Sequence, residues 1–190
     1  TGPNGYWRPV NRSGDAELQR DFPTVLARAR DLAQNNPYIS GALVKITNNV
    51  VRQGIRPQVN LRMGDGKTPD KKRNDKIEAA WKRWARRGVC DITGHDSFYG
   101  LQKIILRHSW TDGECLARRV YVTPTPGELP LRIQLIECDQ LDSSIDGLIG
   151  GNRFARRGIE MDPLTGKPTF YHLLETHPGE PAFKLPPSNP

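Results

Sequence analysis

The sequence predicts an α+β fold in which N-terminal helices are followed by antiparallel strands and a β-hairpin. Three observations carry the prediction. Apolar residues recur at spacings of three and four up to about residue 110, alternation and β-branched residues take over from residue 111, and Pro/Gly-rich turns separate the later segments. The expected boundaries are an extended arm over 1–22, a folded unit over 23–175 and a proline-rich extended tail over 176–190. Within the folded unit, 23–110 reads as mainly helical and 111–175 as mainly β.

The first helix is read from "DFPTVLARARDLAQNN", where Asp21 or Phe22 precedes Pro23 at the first helical position and Val25, Leu26, Ala29 and Leu32 recur at helical spacing. Asn35 and Asn36 stop it. Asn36 then caps a second helix opened by Pro37, with Ile39, Leu43, Ile46 and Val50 on one face and Gly54 at its end, so the two helices form an elbow. "GIRPQVNL" reads as extended and "RMGDGKTPDKKRN" as a polar loop. In "IEAAWKRWARRG", Ile77, Ala80, Trp81, Trp84 and Ala85 fall within an arc of about 140°, opposite Lys82, Arg83 and Arg86. A further helix runs from Ser97 to about Ser109, carrying Phe98, Leu101, Ile105 and His108 on one face. The expected core is Trp81, Trp84, Ile77, Leu43, Ile46, Leu101 and Ile105.

After the turn at Asp112 and Gly113, "CLARRVYV" and "LRIQLIE" read as strands joined by the loop "TPTPGELP". "GIEMDPLTGKPTFYHLLE" reads as strand, turn and strand, a β-hairpin.

Composition bounds the function classes. Of 190 residues, 36% are apolar and 26% charged, a balance that supports a globular core. Lys45, Asn48 and Asn49 interrupt the best apolar run, so no membrane role is expected. The opening "TGPNGYWRPV" has neither an initiator Met nor a secretory pattern, and the chain is expected to begin inside a longer product. Cys90, Cys115 and Cys138 are widely spaced without a C-x-x-C pair, fitting packed thiols in a reducing compartment better than disulfides or zinc.

The charge is uneven. The whole chain carries +7, yet residues 1–95 hold 18 Lys/Arg against 9 Asp/Glu and residues 96–190 hold 10 against 12. Such asymmetry points the first half toward a polyanion or an acidic neighbour. The candidate surface is Lys71, Lys72, Arg73, Lys76, Lys82, Arg83, Arg86 and Arg87, which would meet DNA phosphates or a protein partner, or remain a solvated face.

Chemistry is sparse. "GDGKTP" holds the G-K-T of a phosphate loop, but Leu61 stands where the motif needs its first glycine and Pro69 follows Thr68. Glu137, Asp139, Asp142, Asp146, Glu160 and Asp162 match no calcium loop and read as solvated or turn-capping groups. The four histidines are scattered and no nucleophile motif is present, so no catalytic residue, cofactor or metal set is nominated.

Several stretches in order carry a resemblance. "RARDLAQNNPYISGALVKITNNVVRQGIRPQ" (28–58), "WKRWARRGVCDITGHDSFYGLQKIILRHSWTDGECLAR" (81–118), "IQLIECDQLD" (133–142) and "RRGIEMDPLTGKPTFYHL" (156–173) together resemble the N-terminal, wing-region part of tailed-bacteriophage portal proteins of the lambda type. The resemblance implies a non-enzymatic head-tail connector. Its full-length form would be a homo-oligomeric ring, usually a dodecamer, at one vertex of the virion capsid, assembled in the host cytoplasm. Double-stranded DNA would pass through the channel during packaging and ejection. The implied partners are the terminase large subunit, head-completion or neck proteins and the major capsid protein. The stem and clip segments such proteins carry have no counterpart in these residues. A stand-alone basic nucleic-acid-binding module is the alternative reading.

Overall fold

The computed structural model describes residues 14–151 and 153–180. Helix α1 spans Gly14–Asn35, α2 Pro37–Val50, α3 Lys71–Trp84 and α4 Phe98–Thr111. Strand β1 (Leu116–Tyr121) pairs antiparallel with β2 (Leu131–Ile136), and a 3-10 turn follows at Cys138–Gln140. Strands β3 (Gly147–Leu148), β4 (Phe154–Arg156), β5 (Ile159–Met161) and β6 (Pro168–Tyr171) form a second sheet in sequential order, all antiparallel. The α+β order expected from the sequence is the order observed.

Local chemistry explains the helix boundaries. The Asn36 side chain accepts from the backbone N–H groups of Tyr38 and Ile39 at 3.0 and 3.2 Å, which starts α2 with Pro37 in its first turn. Ser97 accepts from Gly100 N–H at 3.2 Å and starts α4. Asp70 accepts from Arg73 N–H at 3.0 Å and starts α3. That helix therefore begins inside the stretch expected to be a polar loop. Asp70 is a good N-cap, and its carboxylate offsets one of the three cations that read as loop, Arg73.

Two boundaries need correction. The arm expected to be extended over 1–22 is helical from Gly14, with Pro23 inside α1; residues 1–13 lie outside the described part. Ala16, Glu17, Leu18, Gln19 and Arg20 are good helix formers, so helix extends back across the one hydrogen bond that the proline removes. The tail expected to be extended over 176–190 turns at residues 178–179, because His177 is drawn to Glu137 and Asp139, each at 3.4 Å; residues 181–190 lie outside the described part.

The core sits where α3, α4 and the β1–β2 hairpin meet. Trp84, Ala85, Cys90 and Leu101 are buried there, with Trp81, Val89, Phe98, Tyr99, Leu131, Ile133 and Leu135 packed around them. Trp81, Trp84 and Phe98 lie 4.9–5.3 Å apart by ring centroids in tilted and edge-on pairs. The Trp84 indole N–H donates to Leu131 O at 2.7 Å, and Ile133 N–H donates to Cys90 O at 2.6 Å, so the segment after α3 borders β2.

Of the other expected core residues, Leu43 is buried and Ile46 and Ile105 are half-buried. Ile77 is 44% exposed, a correction to the helical-wheel reading. Ile77 lies on the same arc as Trp81 and Trp84, but one turn before the buried cluster that those two join. A similar shift affects α1, where Leu26 and Ala33 turn inward while Val25 and Leu32 stay exposed.

The second sheet hangs on a tight turn. Arg157 and Gly158 both have positive φ, +47° and +81°, the pair of conformations a two-residue hairpin turn between β4 and β5 requires. Strands β3 and β4 escape sequence reading because two or three residues show no period.

Candidate functional site

Every cation of the candidate surface is exposed: Lys71, Lys72, Arg73, Lys76, Lys82 and Arg83 on α3, and Arg86 and Arg87 in the turn after it. The helix ends at Trp84, capped by Ala85, so the last two belong to a turn rather than to the helix face. Arg73 pairs with Asp70 at 3.2 Å, and Arg87 donates to His95 O at 2.6 Å. The remaining six have no ion-pair partner among the described residues.

The helix dipole sharpens the contrast. Lys82 and Arg83 in the last turn complement the negative helix end. Lys71, Lys72 and Arg73 crowd the positive end, where no acidic residue stands within the first turn, and each such cation is unfavourable by roughly 0.3–1 kcal/mol at low salt. The N-cap Asp70 answers only one of them.

Three arginines elsewhere are ion-paired. Arg132 pairs with Glu128 at 3.0 Å and Arg153 with Glu160 at 3.3 Å. Arg30 of α1 bridges Asp112 at 2.9 Å and Asp139 at 2.6 Å, the second contact being an ion pair too poorly angled for a hydrogen bond. His108 reaches the same Asp112 at 2.8 Å. Burial pushes the Asp112 carboxyl up, but hydrogen bonds from Arg30 and His108 outweigh it and hold the group below the ordinary carboxylate range. The Arg30 guanidinium is held more firmly protonated, chiefly by its Asp112 bond. Beside them the Cys138 thiol is pushed up to about 11 by burial and by Asp112 and Asp139.

This cluster ties α1, the end of α4, the 3-10 turn and His177 together. Sequence reading missed it, although Arg30 lies between buried Leu26 and Ala33 on one stripe. A cation on a buried stripe requires a buried carboxylate, and that was the available signal.

The acidic residues divide. Asp162 accepts from Leu164 and Thr165 N–H at 3.0 and 2.8 Å, and Asp142 from Ser144 N–H at 3.1 Å, so both cap turns as expected. Glu160 overturns the solvated reading: it is 4% exposed, bonded to Arg153 and to His172 Nε2 at 2.8 Å. Glu137, Asp139 and His177 place three ligand atoms within 4.8 Å of one another and could hold a cation. Arg30 already brings positive charge to Asp139.

The "GDGKTP" loop is closed on itself. Asp65 accepts from Lys67 and Thr68 N–H, both at 2.9 Å, and from Thr68 Oγ1 at 2.6 Å. Met63 N–H donates to Thr68 O at 2.8 Å. The amides that would cradle a phosphate are thus taken by a carboxylate.

Among the described residues, no helix is long and apolar enough to cross a membrane.

Comparison with known proteins agrees with the ordered stretches. The family described as "Phage portal protein, lambda family" matches residues 1–188. A "Probable portal protein" of Halomonas phage phiHAP-1 is 30% identical over 180 residues, covering 93% of this chain and 34% of the relative. "Portal protein B" of Escherichia phage lambda is 23% identical and the "Portal protein" of Escherichia phage N15 is 22% identical, each over 180 residues, 91% of this chain and 33% of the relative. The chain therefore spans about a third of the length of these curated relatives. By the match over 1–188, the chain belongs to the lambda family of phage portal proteins.

Proposed function

We propose that this chain is the N-terminal, wing-type part of a portal subunit whose full-length form closes into a ring, usually of twelve, at one vertex of the capsid. The ring would pass double-stranded DNA in packaging and ejection. It would dock the terminase large subunit, the head-completion or neck proteins and the major capsid protein, in the host cytoplasm during assembly and in the virion thereafter. Its work is geometric. Side-to-side contacts close the ring, and the ring positions DNA and partners without hydrolysing nucleotide.

The single observation that carries this reading is the family match along almost the whole chain. Two features support it. The amides of the G-K-T loop are engaged by Asp65, and α1 leaves Val25 and Leu32 exposed on one side, two turns apart, apolar surface of the kind subunit contacts use.

Native mass spectrometry of the full-length protein beside this chain, at moderate salt, tests the proposal. A full-length mass near twelve subunits is the expected result. A full-length protein that stays monomeric at every concentration would overturn it.

A further inference from the structure

The segment from Arg52 to Arg87 holds 12 Lys/Arg against 4 Asp/Glu, a surplus larger than the +7 of the entire chain. The extended stretch before α3 is tied to the helix by Leu61 N–H donating to Asn74 at 2.9 Å and Val59 N–H donating to Glu78 at 3.4 Å. Arg52, Arg56, Arg62 and Lys67 of that stretch are exposed. On α3, Lys71, Lys72, Lys76, Lys82 and Arg83 fall within an arc of about 140° that spans about 18 Å of axis, with Asp75 as its one acidic member.

We infer that this face docks the phosphate backbone of double-stranded DNA. Three observations converge on an external polyanion. Six of its cations, concentrated within 16 residues, have no ion-pair partner among the described residues, so their charge is not neutralised within the chain. Two cations, Lys71 and Lys72, stand unanswered at the wrong end of the helix for its dipole, a local conflict that an approaching anion relieves. Five of the six α3 cations share one arc rather than scattering round the helix.

The form of the polyanion follows from what the face lacks. Single-stranded nucleic acid is held by aromatic side chains on which bases stack. The only aromatics between Arg52 and Arg87 are Trp81 and Trp84, which are packed into the core. A flat row of long cations suits the regular phosphates of a duplex, read without regard to sequence. The inference deepens the portal reading by naming where duplex DNA meets this part of the subunit. Its test is separate, because binding is read on the 190-residue chain and ring closure on the full-length protein.

The experiment is a fluorescence-anisotropy titration of the chain with a mixed-sequence duplex of about 30 base pairs, a single strand of equal length and polyglutamate, repeated from about 50 to 200 mM salt. With three to five phosphate contacts, duplex affinity should fall about 50- to 500-fold over that range. Lys72→Ala/Lys76→Ala/Arg83→Ala should weaken binding at least about tenfold and reduce the salt slope by about one for each phosphate no longer neutralised. Arg118→Ala/Arg119→Ala, on β1, should change little. If the triple variant melts lower than the parent chain, Lys76→Gln alone reads the same slope. Absent duplex binding at about 50 mM salt, polyglutamate or single strand binding as tightly as duplex, or equal loss in the β1 variant would each overturn the inference.

Discussion

Trp84 and Ile77 occupy the same side of α3 on a helical wheel, yet packing gives them opposite energetic weight. Trp84 is 4% exposed, touches Trp81 and Phe98, and donates its indole N–H to Leu131 O at 2.7 Å. Removing a buried aromatic of this kind costs about 3–5 kcal/mol, of which the hydrogen bond accounts for roughly 1 kcal/mol. For a chain of this length each kcal/mol lowers the melting temperature by about 2–4 °C, so Trp84→Ala should lower it by about 6–20 °C. Ile77→Ala should stay within about 0.5 kcal/mol, since the side chain is 44% exposed. The indoles separate further. Trp84→Phe should cost about 1–2 kcal/mol, tempered by Arg132 Nη1, which still bonds Leu131 O at 3.1 Å. Trp81→Phe should stay within about 1 kcal/mol, because the buried Trp81 Nε1 has no acceptor among the described residues and its loss removes an unsatisfied donor. Urea denaturation followed by far-ultraviolet circular dichroism is the assay, since tryptophan fluorescence changes with the substitutions. A Trp84→Ala cost below about 1 kcal/mol, or an Ile77→Ala cost equal to it, would refute the packing argument.

Arg30→Ala should lower stability by roughly 3 kcal/mol at neutral pH, the low end for orphaning a buried charge, because His108 still bonds Asp112. Because the folded Asp112 carboxyl is held low, its contribution is full above the ordinary value near 3.9 and fades as pH falls through the lower folded value; the gap between parent and variant should narrow below about pH 4, and a gap constant to pH 2 would contradict this. With its thiol pushed up to about 11, Cys138 should resist iodoacetamide at pH 8 until denaturant is added, as read by mass spectrometry, whereas labelling at the rate of a free thiol would mean that the cluster opens. Gly158→Ala should destabilise by at least about 2 kcal/mol, because φ is +81° and an added Cβ would stand 2.6 Å from Asp142 O; an unchanged melting curve would refute the turn assignment.

Short-range chemistry was legible in the chain. Asn36 before Pro37 marks a helix start within three or four residues, and alternation over six residues marks β1 and β2, whereas Ser97, read as the first residue of α4, proves to be its N-cap. The surplus of cations around α3 was equally plain, as was the defect in the G-K-T loop. The start of α3 was not, because Asp70 is followed by three cations that read as a turn. Nor were β3 and β4, which are shorter than any period.

By itself, then, the sequence determined the α+β order, the Asn36 cap, the family and the basic half of the chain. Tertiary structure alone decided that Leu26 and Ala33 rather than Val25 and Leu32 turn inward, that Ile77 stays in water, and that Arg30 meets Asp112 across 82 positions. A period shows that a helix has an apolar side but not what covers it, and a charge announces a need for a counterion without saying from where. Those choices belong to the packed chain, where burial removes water and leaves each polar group only the partners that the fold brings within reach.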